Sequence, residues 1–293
     1  THQRRVGRSE GIRRASANQQ VIDGVNIAVV TGGGHGIGRA LSRRLREEDI
    51  QVVVADIDAG AAEIVARDIG GHAFTVDVGA EAAMSDFIQR VEQDIGPIDL
   101  FVSNAGVGFG DADGQAASPG GGIRPIDDRW EASWQINVMA HVYAARELVP
   151  RMTARGGGCL VNVASAAGLL SQVGDAAYSA TKAAAVSFAE SLAIAHGEDG
   201  IQVMVVCPQA VATRMIGIED DADGGAGGFG GNDVDGILPP DAVAENIVDG
   251  VRERRFLVLP HPQVAEYTRR KAADHDRWIS GMQRFRKSLK RPA

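Results

Sequence analysis

The sequence predicts an α/β fold, a doubly wound parallel sheet covered by helices on both faces. Three observations carry this reading. Seven short apolar runs alternate with helix-like segments along the chain. The runs are near-continuously apolar, the pattern of parallel strands buried on both faces. A glycine-rich turn joins the first run to the first helix-like segment, and strand–turn–helix is the context of a dinucleotide-binding crossover. Right-handed crossovers then wind the helices onto both faces.

The first strand is expected at Ile27–Thr31. It runs into Thr31-Gly32-Gly33-Gly34-His35-Gly36-Ile37-Gly38 and then the helix-like Arg39–Leu45. Glycines there let the backbone turn tightly against a pyrophosphate, and the helix N-terminus favours its negative charge. The second strand, Val52–Asp56, ends on an acid about 20 residues after the turn, placed to bind both ribose hydroxyls and to repel a 2′-phosphate. Further strands are expected at His72–Val78, Ile98–Asn104, Cys159–Ser165, Ile201–Pro208 and Phe256–Pro260. Ligands of such sheets bind beyond the strand C-termini. Asp56, Asp77, Asn104, Ser165 and Pro208 all fall at those ends.

Chemistry is legible in Tyr178-Ser179-Ala180-Thr181-Lys182, with Ser165 upstream. On a helix, i and i+4 put the phenol and the ammonium on one face. A neighbouring ammonium favours phenolate, and a phenol tuned toward neutrality can take a proton from an alcohol or give one to a ketone. Ser165 could hydrogen-bond the same substrate oxygen. The Tyr-x-x-x-Lys pair alone is weak, because it also occurs on solvated helix faces; its force comes from company with the glycine turn.

These motifs, in this order, resemble the short-chain dehydrogenase/reductase family in its basic single-domain form, over roughly Ile27 to Pro260. The family's Thr-Gly-x-x-x-Gly-x-Gly matches Thr31 through Gly38. Its Asp-Val matches Asp77-Val78, its Asn-Ala-Gly matches Asn104-Ala105-Gly106, and its helix asparagine matches Asn137. Its catalytic Ser, Tyr and Lys match Ser165, Tyr178 and Lys182. The late Pro-Gly-x-Val-x-Thr matches Pro208, Val211 and Thr213, with Gln209 in place of the glycine.

The resemblance implies a three-layer α/β/α Rossmann fold with seven parallel strands in the order 3-2-1-4-5-6-7. It implies NAD bound by Thr31, Gly32, Gly34, His35, Gly36, Ile37, Gly38, Asp56, Asp77, Val78, Asn104, Ala105, Gly106, Tyr178, Lys182, Pro208, Val211 and Thr213. Tyr178 would be the acid/base, Lys182 would lower its pKa and bind the nicotinamide ribose, and Ser165 would polarise the substrate oxygen. Asn137 would hold a water linking Lys182 to solvent, and Thr213 would face the carboxamide. Val107, Ala167, Gln172, Gln209 and Met215 would line the substrate pocket. A homo-oligomer, tetramer or dimer, is implied as well.

Composition fits a cytoplasmic globular enzyme. The chain has 293 residues, is 44% hydrophobic and carries a net charge of −8, which argues against a general nucleic-acid binder. Cys159 and Cys207 read as buried thiols of a reducing compartment. No Cys/His spacing suggests zinc, and no apolar stretch approaches the ~20 residues that span a bilayer. Residues 1–20, with Arg4, Arg5, Arg8, Arg13 and Arg14, are expected to form a flexible basic arm. The catalytic domain is expected over 21–260. The connection Val107–Arg124 is longer than the family's usual one. A substrate lid is expected at about 216–236, whose Asp-x-Asp-x-Gly lacks the terminal glutamate of a calcium loop. The basic, partly amphipathic tail 261–293, with Val264, Tyr267, Trp278, Met282 and Phe285, is expected to pack as a helix on its own domain or a neighbour.

Three functions compete. The first is an NAD-dependent secondary-alcohol dehydrogenase or ketone reductase. The second is a 3-oxoacyl-thioester reductase, which Asp56 disfavours if that reduction draws on NADPH. The third is an NAD-binding regulator without catalysis, which the intact Ser165, Tyr178 and Lys182 disfavour.

Overall fold

The apolar runs pair side by side into one sheet. A computed structural model of the chain describes residues 22, 24–109, 128–218 and 235–289. The expected basic arm, most of the long connection after Val107 and most of the expected lid lie outside these residues. The strands are β1 (Ile27–Thr31), β2 (Gln51–Asp56), β3 (His72–Thr75), β4 (Leu100–Ser103), β5 (Gly158–Val163), β6 (Ile201–Val206) and β7 (Leu257–Val258). All pair in parallel, in the order β3-β2-β1-β4-β5-β6-β7. The sheet is therefore the doubly wound Rossmann arrangement.

Several strands stop short of their expected ends. β3 ends at Thr75 instead of Val78 because its sole partner, β2, ends at Asp56 opposite Thr75. β5 and β6 end together at Val163 and Val206. Residues beyond those ends leave the ladder and turn toward the cleft at the sheet's C-terminal edge.

Successive strand residues point to opposite faces, and each face has its own core. Val29, Val53 and Phe101 pack with α3 (Glu81–Asp94), α5 (Ala140–Ala154) and α7 (Ala176–His196). Val30, Val54 and Val102 pack with α1 (Gly36–Glu47), α2 (Ala59–Ile69) and α8 (Pro240–Arg252). Leu41, Leu45, Leu148 and Ile247 are fully buried in these layers, and truncating one such side chain to alanine costs about 2–5 kcal/mol.

Four further helices complete the description. α4 (Asp128–Trp134) runs through a π-helical turn, Gln135–Met139, into α5. The short α6 (Ala166–Leu170) follows β5. The last described elements are α9 (Gln263–Ala273) and α10 (His275–Leu289). A small third apolar cluster joins Ala166 and Leu170 of α6, Val264 and Tyr267 of α9, and Trp278 of α10. The two tail helices thus pack beside the element that follows Ser165.

Candidate functional site

The glycine turn is built by close backbone approach. Gly32 has φ +62°, and a Cβ there would lie 2.9 Å from Ala105 Cα. A Cβ on Gly38 would run into the Gly32 carbonyl oxygen. Only hydrogen fits at either position, so the turn can hug the first helical turn of α1 and leave a shallow cradle in front of it.

Side chains from neighbouring strand ends pin this cradle. Thr31 Oγ1 donates to the Val102 carbonyl (3.2 Å) and accepts from Asn104 N (3.0 Å) and Ala105 N (3.2 Å). Asn104 Nδ2 donates to the Thr31 and Gly32 carbonyls at 2.9 and 3.2 Å. Asp56 accepts from Gly34 N on one carboxylate oxygen (2.9 Å) and from Asp58 N on the other (3.0 Å). A carboxylate has about four acceptor sites, so two remain for donors of a ligand. Asp77 accepts from Gly79 N at 2.9 Å and stays exposed at the exit of β3.

The second half of the site hangs on two capped helices. Ser165 caps α6, its Oγ accepting from Ala167 N at 3.1 Å. Asp175 caps α7, accepting from Tyr178 N at 2.9 Å. Ser165 is thus itself both cap and candidate catalytic group, and the Asp175 cap holds the first turn of the helix that presents Tyr178 and Lys182. The Tyr178 hydroxyl is near enough to the Ser165 side chain to be influenced by it, and Ser165 Oγ itself donates to the Pro208 carbonyl at 3.4 Å. Lys182, one turn along α7, is buried; its Nζ donates to the Val163 carbonyl at 2.9 Å and lies 5.6 Å from the centre of the Tyr178 ring.

The electrostatics differ from the sequence argument, which had Lys182 drawing the Tyr178 phenol down. In the protein alone, burial is the larger effect and pushes the phenol up to about 12. The Ser165 side chain opposes this, and the Asp175 carboxylate adds to it. Burial also pushes Lys182 down to about 8. Both groups are driven toward their neutral forms.

Asn137 sits in the π-helical turn. Its Oδ1 accepts from Val107 N at 2.9 Å, and its Nδ2 donates to the Val107 carbonyl (2.9 Å) and to Thr181 Oγ1 (3.1 Å). The side chain is a brace between that turn, the strand-4 exit and α7. The π turn aims it there, a use to which such insertions are often put.

One continuous cleft of about 650 Å³ joins the two halves, within the usual range of ligand sites. Gly32, His35, Gly36, Ile37, Asp56, Asp77, Val78, Asn104, Ala105 and Gly106 line one end. Ser165, Tyr178, Lys182, Pro208, Val211 and Thr213 line its middle, together with Val107, Ala167, Gln172, Gln209 and Met215. Thr31, Gly34, Gly38 and Asn137 are not on its surface; they support it from behind. Gln209, the departure from the family motif, offers its backbone N–H to His261 Nδ1 at 3.2 Å, a contact to the tail.

Sequence reasoning missed several lining residues. Arg214 Nη1 reaches within 3.3 Å of His35 Nε2, bringing a cation to the glycine turn from a distant part of the chain. Its position directly after Thr213 was the available signal. Tyr267, Arg270, Trp278, Met282 and Phe285 close the far end. Their amphipathic spacing showed a buried face, but not what it faces.

Among the described residues, no helix is long and apolar enough to cross a membrane. The family model for short chain dehydrogenase matches residues 26–223. The chain is 32% identical to a meso-2,3-butanediol dehydrogenase of Serratia marcescens, over 64% of this chain and 72% of that protein. It is 32% identical to a 2,3-dihydro-2,3-dihydroxybenzoate dehydrogenase of Bacillus subtilis, over 68% and 74%. A short-chain dehydrogenase/reductase of Burkholderia phymatum, solved in complex with NAD, superposes with a TM-score of 0.72 at 26% identity, covering 86% of this chain and 94% of that one.

Proposed function

This chain belongs to the short-chain dehydrogenase/reductase family, and on that premise we propose that it interconverts a secondary alcohol and a ketone with NAD. The observation that carries the reading is the convergence of Ser165, Tyr178 and Lys182 on the same cleft as the glycine turn and Asp56. The cradle fits a dinucleotide: its glycines admit no Cβ, it opens on a helix N-terminus, and a carboxylate waits at the end of β2.

In this proposal the glycine turn holds the pyrophosphate, Asp56 the adenosine ribose, Asp77 and Val78 the adenine side, and Thr213 the carboxamide. When bound, the nicotinamide supplies the two-electron redox chemistry. The protein supplies position and proton transfer. Ser165 donates to the substrate oxygen. Tyr178 exchanges the proton at that oxygen through its hydroxyl. The Lys182 ammonium holds the nicotinamide ribose and, with positive charge near the ring, favours release of the phenol proton. Asn137 acts as a brace on Val107 and Thr181. Asp56 favours NAD over NADP because its carboxylate repels a 2′-phosphate. The homo-oligomer, dimer or tetramer, belongs to the same proposal, and sedimentation measures it.

A panel of secondary alcohols with NAD and with NADP, followed by absorbance of the reduced nicotinamide, tests the reading. Turnover with NAD at least ~10² more efficient than with NADP is expected. Comparable efficiency with NADP would refute the cofactor assignment. Reduction of 3-oxoacyl thioesters alone would establish the thioester-reductase alternative. NAD binding without turnover of any alcohol, ketone or thioester would favour the regulator.

A further inference from the structure

We infer that α9 and α10 form the recognition wall of the substrate cleft, and that this wall selects bulky, apolar secondary alcohols over small ones. The inference rests on the redox reading above and names its substrate class.

The wall is defined by position. Trp278, Met282 and Phe285 lie on one face of α10 at helical spacing, partly buried, and all three line the cleft. Ile279, on another face of the same helix, is 52% exposed. The wall is tied to the reacting end: Trp278 packs against the apolar cluster that Val264 of α9 forms with Ala166 and Leu170 of α6, the helix that Ser165 caps. Lys271 Nζ donates to the Leu169 carbonyl at 2.6 Å, and Tyr267 Oη donates to Asp235 at 2.9 Å. A shift of the tail would therefore be felt at α6.

The wall's chemistry sets the ligand. A molecule whose oxygen sits at Tyr178 and Ser165 extends toward Leu170, Met215, Trp278, Met282 and Phe285, all apolar. Of the polar groups there, Tyr267 bonds one carboxylate oxygen of Asp235 and Arg270 Nε bonds Glu266 at 2.7 Å, while Asp235 Oδ2 and Gln209 Oε1 are buried without a partner among the described residues and can orient a polar substituent of the ligand. Aromatic faces gain by covering apolar area, and methionines adapt to irregular shapes. A ring system or branched hydrocarbon covers this surface; a three-carbon alcohol leaves it wet. Both helices lie beyond residues 26–223, the span matched by the family model.

The test compares isopropanol, cyclohexanol and decahydronaphthol on the full chain. With NAD, kcat/KM should rise across the series by about 10² or more, since each methylene-sized group in an apolar pocket contributes roughly 10-fold or more. Trp278→Ala and Phe285→Ala should each cut the decahydronaphthol value by about 10-fold, with a smaller loss for isopropanol. Trp278→Phe should restore most of it, and Ile279→Ala should change neither substrate. Met282→Gln is the second variant should Trp278→Ala fail to fold. Calorimetric binding of the same alcohols to NAD-loaded Tyr178→Phe protein reads the wall without turnover and should follow the same ranking. A graded ranking in binding with no turnover would refute the redox reading and leave the wall. Turnover with a flat size profile, or equal losses from Trp278→Ala and Ile279→Ala, would overturn the wall and leave the redox reading.

Discussion

Burial holds the Tyr178 phenol protonated and presses Lys182 toward the neutral amine, so the two groups lean on whatever charge arrives beside them. Tyr178→Phe removes only the hydroxyl: turnover should fall by about 10²–10⁴, while NAD binding by calorimetry stays near wild type. Linkage gives a second expectation. Lys182 has its folded pKa lowered from 10.5 to about 8. Between those values the unfolded chain binds more protons than the folded one, so this group adds stability as pH rises through the window. Tyr178 is raised from 10.0 to about 12, so above pH 10 its contribution is lost as pH rises. Denaturant unfolding of wild type and Lys182→Met, compared at either end of the first window, should show the wild type gaining on the variant by up to a few kcal/mol. The absence of any gain would mean that Lys182 is solvated in the fold. Asp56→Ala removes both the proposed ribose acceptor and the anchor of Gly34 N; NAD efficiency should fall by about 10-fold or more, NADP efficiency less, and kinetics with both cofactors measures the narrowing. At this scale the Tyr178/Lys182 spacing was legible because both ends lie on one helix. The Asn137–Val107 brace was not, because it joins residues 30 apart through a connection with no regular pattern.

The helices that carry the site depend on close approach. Gly168 of α6 lies where a Cβ would be 2.5 Å from the Lys182 carbonyl oxygen of α7. Gly168→Ala must push the two helices apart, and with them the cap at Ser165 and the ammonium of Lys182. It should cost about 1–3 kcal/mol in denaturant unfolding and lower kcat more than it lowers NAD affinity. On the opposite face, Glu48 is buried at the end of α1, 2.6 Å from Arg44 Nη1 and 3.0 Å from Arg252 Nη2 of α8. Glu48→Gln removes one of the carboxylates of this network, while Arg44 keeps Glu245 and Arg252 keeps Asp249, and about 1–3 kcal/mol of destabilisation is expected from chemical denaturation. Strands were legible as elements, since β-branched and leucine runs between glycines mark them. Their ends were not, because a ladder stops where its partner stops, as β3 does opposite Asp56. The tail helices were legible as amphipathic; only tertiary packing shows that one apolar face looks into the cleft.

The whole molecule divides its work along the chain. The sheet and its two cores carry the stability, and α10 contributes no fully buried residue to either. A chain ending after Asp274 should therefore keep its NAD affinity, with scanning calorimetry showing a melting temperature within a few degrees of wild type. A chain ending before β7 should fare far worse, since Val205 N and Cys207 N would lose their bonds to Phe256 and Val258 carbonyls. The order β3-β2-β1-β4-β5-β6-β7 has a further consequence for how the protein is made. As the chain emerges from the ribosome, β2 and then β3 add outward from one side of β1. Then β4, β5, β6 and β7 add outward from the other. No strand must ever insert between two that are already paired. Synthesis and assembly can run in the same direction, with each crossover helix covering its strand as it arrives. The cradle for the cofactor forms early, and the apolar end of the cleft is laid down only after the sheet is complete.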